Sequence, residues 1–226
     1  MRLYISPMTE PMNILKDKIN TICVENTKKF RDIVLDFLEE NENHELVFSL
    51  NYEPFSMKGN VCFVGDYFNF QISPAIVKKI YNYLENLCVS ELPNESESLK
   101  ADITGYLAKV SQLCDFDFDY RDSVSLCDVF KMQLLKPQVK SFDTATSLLN
   151  YITVINQYAH PKCFVLLNMH LFFSNEEIEL LFQNFQYQGI YVILLENAFS
   201  FEKLTYENVF IIDKDLCEIV ANDSKI

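Results

Sequence analysis

One short stretch of the chain contains four aspartates: Asp115, Asp117, Asp119 and Asp122. Carboxylate oxygens suit Ca²⁺, an ion that takes about six to eight oxygen ligands and tolerates irregular geometry. The stretch is not an EF-hand loop, because it lacks the glycine that such a loop needs at its sixth position. Phe116 and Phe118 alternate with the carboxylates, which predicts an extended segment with phenyl groups inward and carboxylates outward.

Three functions fit this acidic stretch. It could be a solvated acidic edge, or it could bind a divalent ion. A metal-dependent nuclease is the third alternative, although no recognisable motif supplies a separate general base or lysine. The residues alone leave these alternatives open.

Lysines form the second group of residues that could have a chemical function: Lys58, Lys131, Lys136 and Lys140. A single exposed lysine is usually only solvated. Several lysines on one surface of an oligomer, however, bind phosphates without reading the base sequence. These four are therefore the candidate residues for phosphate binding, and hence for DNA binding if the partner is a nucleic acid.

The common catalytic motifs are missing from the sequence. The chain contains four glycines and no GxxxxGK[ST] or GxGxxG pattern, which argues against ordinary P-loop hydrolysis and dinucleotide binding. His160 and His170 flank the apolar segment of Cys163, but nothing marks them as a Cys-His site, and no GxSxG or HExxH occurs. The sequence predicts a protein that binds rather than catalyses, with a divergent nucleotide-binding enzyme as the alternative.

Composition sets further limits. Lys and Arg number 19 against 32 Asp and Glu, and this net charge of −13 argues only weakly against nucleic acid, because the local field matters more than the sum. The seven cysteines form no CxxC pair, so we expect reduced thiols and a cytoplasmic protein. No apolar stretch approaches the roughly 18 residues of a membrane span, so we expect no membrane association.

The elements that must position these residues follow from hydrophobic patterning. Apolar runs at 19–24, 46–50, 61–64, 163–167, 190–195 and 209–212 predict strands, and the last three alternate with helical patterns as in βαβ units. Residues 73–158 read as mainly helical, with a polar loop at 93–98 between helices 74–88 and 99–113. The predicted architecture is an α/β head at 1–72 and 159–226, with a helical leg domain at 73–158.

Several short motifs, spread over most of the chain, carry a family resemblance. They are Glu10-Pro11-Met12 after the opening strand, Asp117-Phe118-Asp119-Tyr120, the segment Phe164–Asn168 with Phe173–Ile178, and Ile212-Asp213-Lys214-Asp215. In their order, spacing and total length they make the sequence resemble the short form of the accessory adaptation protein of type II-A CRISPR systems.

The resemblance implies an α/β fold: a head like that of P-loop ATPases but without the phosphate loop, carrying an inserted, mainly helical leg. It also implies a homotetrameric ring with a positively charged hole. Such a ring binds double-stranded DNA ends without sequence preference and depends on Ca²⁺. No catalytic activity is implied, and the expected partners are the CRISPR integrase complex and the effector nuclease during spacer acquisition.

Carried over to this sequence, the resemblance assigns acidic positions of the calcium-binding segment to Asp117, Asp119 and Asp122, to which we add Asp115 and Asp128. The sequence departs from the family pattern in two places. Arg121 stands where an acidic residue is usual, and Cys127 stands near an expected glutamate, with Asp128 one position later. A site with fewer ions, or one that includes a salt bridge to Arg121, is the alternative.

Overall fold

A computed structural model describes residues 1–39, 45–113, 115–116, 118–119, 121, 123–198, 203–204 and 206–221. Within these residues the strands are β1 (Arg2–Ile5), β2 (Met12–Asn13), β3 (Ile19–Val24), β4 (Leu46–Leu50), β5 (Glu53–Phe55), β6 (Val61–Val64), β7 (Cys163–Leu167), β8 (Tyr191–Glu196), β9 (Glu207–Ile212) and β10 (Glu218–Ala221). The helices are α1 (Thr27–Glu39), α2 (Pro74–Glu91), α3 (Pro93–Ser111), α4 (Leu126–Met132), α5 (Thr144–Ala159), α6 (Met169–Phe172) and α7 (Asn175–Tyr187).

A mixed, largely parallel sheet forms the centre of the fold, in the order β10-β9-β3-β8-β7-β6. Every residue of β3 is buried, as are most residues of β7 and β8. Burial on both faces is why β7 and β8 read as apolar runs rather than as alternating patterns. The strands begin in register, since Val61 pairs with Cys163 and Cys163 with Tyr191. The predicted mixed α/β class and its main strands are confirmed.

A second, antiparallel sheet, β2-β1-β4-β5, was not predicted as a separate layer. It shares one core cluster with the parallel sheet, in which Leu3 and Phe48 of the antiparallel sheet join Ile22, Val165 and Ile193 of the parallel sheet. Ile33 and Phe37 of α1 complete the same cluster. One face of the parallel sheet is therefore covered by strands and a helix together.

The chain divides into two compact units, 1–70 with 139–226 and 71–138. The predicted domains meet at 72/73 and 158/159, so the difference concerns residues 71–72 and, mainly, 139–158. These residues contain most of α5, whose buried face includes Leu148, Ile152 and Ile155, and α5 contacts α7 of the first unit. Periodicity alone identified α5 as a helix but could not show which unit its apolar face joins.

The second unit corrects the prediction of a polar loop at 93–98. Helix α3 begins at Pro93, directly after α2 ends at Glu91. Pro93 suits the first helical turn, where its missing N–H is not needed, and the buried Ser96 hydroxyl donates to the Cys88 carbonyl oxygen at 3.3 Å. The polar residues thus form the first turn of a helix.

Among the described helices, none is both long enough and apolar enough to cross a membrane.

Two glycine substitutions should have opposite effects on stability. Gly59 has φ +71°, a left-handed conformation, whereas Gly105 lies inside α3 with open space around its Cα. Gly59→Ala should lower the free energy of unfolding by about 1 kcal/mol, because L side chains disfavour that backbone conformation. Gly105→Ala should raise it by up to about 1 kcal/mol, because alanine is the better helix former. Urea unfolding of both variants tests this, and destabilisation by Gly105→Ala would contradict it.

Candidate functional site

The acidic stretch lies in the second unit, between the end of α3 and the start of α4. Glu85 of α2 anchors the start of α4 by accepting three hydrogen bonds. The Ser125 hydroxyl and the Leu126 backbone N–H each donate to Oε1 at 3.0 Å, and the Cys127 thiol donates to Oε2 at 3.2 Å. A carboxylate at the N-terminus of a helix also interacts favourably with the helix dipole.

These contacts move the pKa values of both partners in opposite directions. The hydrogen bond from Cys127 is the main cause that lowers the pKa of Glu85. Burial, followed by the neighbouring Glu85 carboxylate, raises the pKa of the Cys127 thiol. The pair therefore consists of a carboxylate and a neutral thiol, and Cys127 serves this structural contact rather than acting as a thiolate.

Asp128 is engaged by two basic side chains. Its Oδ1 lies 2.9 Å from Lys131 Nζ, and its Oδ2 lies 3.3 Å from Arg121 Nη1. The hydrogen bond from Lys131 is the largest cause that lowers the pKa of Asp128. Both carboxylate oxygens therefore already face a positive charge, and Arg121 is one of its two sources.

Asp115 and Asp119 are exposed, while Asp117 and Asp122 lie outside the described residues. The prediction that the phenyl groups of this stretch point inward is wrong. Phe116 is 64% exposed and Phe118 46%, and their ring centroids lie 4.9 Å apart, so the rings contact each other rather than a core. Across the described part of the chain, no group of three His, Cys, Asp or Glu side chains is arranged to hold a metal ion.

The four predicted DNA-binding lysines are all exposed. Lys58 and Lys140 belong to the first unit, and Lys131 and Lys136 to the second. Lys131 is bound to Asp128, which offsets its charge locally, whereas the other three form no ion pair with any described carboxylate.

A buried polar cluster in the first unit escaped the sequence reasoning. His170 Nδ1 lies 2.9 Å from Glu196 Oε1, and His170 Nε2 lies 3.7 Å from Glu207 Oε1. Glu207 also accepts hydrogen bonds from the Thr21 hydroxyl and, at 3.0 Å, from the Leu204 backbone N–H. Burial raises the pKa of Glu207. The cluster joins α6, β8, β9 and β3 of the first unit, and its acidic members are almost inaccessible to solvent.

Cys163 and the histidines do not form a nucleophilic pair. Cys163 is fully buried, and burial raises the pKa of its thiol. The His170 ring contacts the two glutamates, and His160 ends α5 in a left-handed conformation with φ 51°. A reactive cysteine needs a lowered pKa and access to substrate, and Cys163 has neither.

A cavity of about 280 Å³ opens beside α1 and β6 in the first unit. Its lining is almost entirely apolar: Phe37, Leu38, Met57, Val61, Cys62 and Phe63. Burial raises the pKa of the Cys62 thiol to about 11, so this cavity supplies no ionised group near neutral pH.

Sequence patterns could not have identified Glu85 or the buried cluster. Glu85 lies inside a helix and resembles any solvent-facing glutamate, and its partners are some forty residues away along the chain. Glu196 and Glu207 lie at the ends of strands that read as apolar, and only the sheet order brings them to His170.

Removing the anchor of α4 should weaken the second unit. Glu85→Ala leaves the Ser125 hydroxyl, the Leu126 N–H and the Cys127 thiol without their acceptor, so the free energy of unfolding should fall by about 1–2 kcal/mol. Glu91→Ala, at an exposed position of the same helix, is the control and should change it by less than about 0.5 kcal/mol. Chemical unfolding followed by circular dichroism measures both, and equal effects would refute the anchoring role.

Replacing Glu207 should alter how stability depends on pH. A folded-state pKa above the ordinary 4.5 means that the folded protein holds a proton which the unfolded chain has lost. Stability therefore falls as the pH rises from the ordinary value towards the raised one. Glu207→Gln should remove this fall, so that the variant gains stability relative to the unmodified protein as the pH rises. Thermal midpoints between pH 4 and 8 measure this difference. Glu179→Gln, at an exposed position of α7, is the control, and its stability curve should run parallel to that of the unmodified protein.

Comparisons with known proteins give one family. The family described as CRISPR-associated protein (Cas_Csn2) matches residues 38–216. A comparison with curated protein sequences found no match.

Solved structures that match this chain include three proteins of ABC transporters. CbiO1 of an ABC transporter complex from Clostridium perfringens has a TM-score of 0.48 and 13% identity, covering 89% of this chain and 76% of that one. An ATP-binding cassette of an ABC transporter in its ADP conformation has a TM-score of 0.46 and 12% identity, and the match covers 93% of this chain and 85% of that one. A putative ABC transporter ATP-binding protein from Pyrococcus furiosus has a TM-score of 0.41 and 14% identity, and the match covers 92% of this chain and 97% of that one.

Proposed function

Because the chain belongs to the Cas_Csn2 family of CRISPR-associated proteins, with a match over residues 38–216, we propose that it binds the ends of double-stranded DNA. It is an accessory protein of type II-A CRISPR systems. In our proposal it acts without catalysis, as a ring-shaped homotetramer in the cytoplasm that supports spacer acquisition beside the integrase complex and the effector nuclease. The family match is the observation that carries this proposal.

Ring closure explains how modest contacts could retain DNA. A closed ring releases a duplex only at an end, so residence can be long even where each phosphate contact is weak and sensitive to salt. Exposed lysines without a carboxylate partner among the described residues, such as Lys58, Lys136 and Lys140, support phosphate binding in an otherwise acidic chain. The absence of a sequence motif for catalysis is consistent with a holding role.

We propose Ca²⁺ as the ion for the acidic stretch. The described donors fit it in part. Asp115 and Asp119 are exposed carboxylates without an ion-pair partner among the described residues, whereas Asp128 already faces Lys131 and Arg121. Binding by the aspartates of 115–122 without Asp128 is therefore the arrangement we favour. When bound, the ion would neutralise carboxylates that otherwise repel one another.

A comparison of linear and covalently closed circular duplexes tests the proposed function. With Ca²⁺ at moderate salt, the protein should retain the linear duplex and release the circular one, because only a free end can enter a closed ring. Electrophoretic mobility shifts with both forms, with Ca²⁺ and with a chelator, measure retention. Analytical sedimentation should give a tetramer under the retaining condition.

Two outcomes would contradict the proposal. A monomer both with and without Ca²⁺ would exclude the ring. Cleavage of either DNA form with Mg²⁺ or Mn²⁺ would favour the alternative, a metal-dependent nuclease that uses the acidic stretch. A separate measurement tests the ion site. Titration calorimetry of the double variant Asp115→Asn with Asp119→Asn shows whether calcium binding depends on this stretch, and Asp102→Asn, at an exposed position of α3, is the control.

A further inference from the structure

One edge of the first unit gathers basic side chains. It is the edge where the parallel strands start. Lys58 lies three residues before β6 and Lys162 immediately before β7, while Lys16 and Lys18 precede β3. Asn20 pairs with Ile193, so Lys18 lies level with Tyr191, the first residue of β8. We call this group, together with Arg2 at the start of β1, the basic edge.

Backbone contacts hold Lys58 and Lys162 close together. The N–H groups of Asn60 and Val61 donate to the Met57 carbonyl oxygen at 3.0 and 2.8 Å, which closes a tight turn that carries Lys58. The N–H of Lys162 donates to the Asn60 carbonyl oxygen at 2.7 Å. Gly59, with φ +71°, permits this turn. The positions of the two lysines are thus fixed by the fold.

Three basic side chains of this edge hold their charged groups over aromatic rings in cation–π contacts. Lys16 Nζ lies 5.0 Å from the ring centroid of Tyr191, and Lys162 Nζ lies 4.1 Å from that of Phe55. The Arg2 guanidinium carbon lies 4.5 Å from the ring centroid of Tyr52. An aromatic face orients a cation without cancelling its charge. The rings therefore fix the positions of these charged groups, which remain positive.

Carboxylates are scarce on this edge. The segments 1–3, 14–19, 51–61 and 160–163 contain five Lys or Arg residues and two acidic ones, Asp17 and Glu53, whereas the whole chain has 19 against 32. None of the five basic side chains lies within 4.0 Å of a described carboxylate oxygen. Lys16, Lys58 and Lys162 are exposed. The edge is a positive surface in a strongly negative chain.

We propose that the basic edge is a phosphate-binding surface for duplex DNA. This inference rests on the proposed function and assigns residues to it. Neighbouring parallel strands lie about 4.8 Å apart, so the amino ends of β3, β8, β7 and β6 span about 14 Å. That distance is comparable to the width of about 12 Å of the major groove, along which two phosphate backbones run. Lysines at both ends of the span can contact separate phosphates without reading bases.

A small phosphorylated ligand fits this edge less well. Binding one nucleotide requires backbone N–H groups that converge on a single phosphate, usually with clustered glycines. Here the cations are spread over four strands, and Gly59 is the one glycine among the segments of the edge. A polyanion with regularly spaced phosphates, such as duplex DNA, matches cations that are spread along the edge.

A triple substitution tests the proposal. In Lys16→Gln, Lys58→Gln and Lys162→Gln combined, the affinity for a linear duplex should fall by roughly two orders of magnitude at about 0.1 M salt. The slope of log affinity against log salt should become shallower by about 0.9 for each lost phosphate contact, or about 2.7 for every subunit of the proposed tetramer whose three lysines contact the duplex. Fluorescence anisotropy over a salt series measures both quantities.

The matched control carries Lys78→Gln, Lys79→Gln and Lys109→Gln, exposed positions of α2 and α3 with the same change in net charge. It should keep most of the affinity and the slope. A second variant, Lys16→Arg, Lys58→Arg and Lys162→Arg, should bind like the unmodified protein, because it keeps the charges. Unchanged thermal midpoints establish that all variants fold.

The outcomes separate this inference from the proposed function. If the unmodified protein does not bind linear DNA at all, the proposed function fails. If it binds, but the glutamine variant of the basic edge keeps the same affinity and slope, this inference alone is overturned. Equal losses in the glutamine variant and the matched control would also overturn it, because net charge rather than this edge would then govern binding.

Discussion

The fold depends on one constraint: parallel strands that are apolar on both sides must be covered on both faces. Strands β3, β7 and β8 have almost no exposed side chain, so neither face can be left to solvent. The antiparallel sheet and α1 cover one face through a shared core cluster. Helix α6 contacts β8, and α7 contacts both α5 and α6. A polar side chain buried inside such a strand needs partners, and Asn20 of β3 has them, since its amide donates to the carbonyl oxygens of Leu15, Lys18 and Val192.

The same constraint explains what the sequence could predict. The predicted strands at 19–24, 46–50, 61–64 and 163–167 coincide with strands of the structure. The run at 163–167 is the clearest of them, because a strand buried on both faces is apolar throughout and shows no polar alternation. The start of α7 was equally predictable, since Ser174 and Glu177 form the reciprocal capping hydrogen bonds that their spacing indicates. Here local chemistry and global packing favour the same conformation.

Other features depended on contacts that no local pattern records. Helix α3 begins in a polar segment because α2 lies beside it and accepts a hydrogen bond from Ser96. The two-residue strand β2 and the short β5 are too brief for periodicity to detect. Of the lysines chosen from sequence, Lys131 pairs with Asp128, whereas Lys16 and Lys162 were overlooked because sheet order, not spacing, places them beside Lys58.

The contact between Glu85 and the start of α4 has a thermodynamic consequence for the acidic stretch. Helices α2 and α3 contact each other, and α2 also contacts α4, so both ends of the segment 112–125 are fixed by the packed helices. The entropy of closing this loop is lost when the helices pack, before any ligand arrives. If the acidic stretch binds Ca²⁺ as proposed, its affinity for the ion is therefore coupled to the packing of α4 on α2, although α4 need not touch the ion.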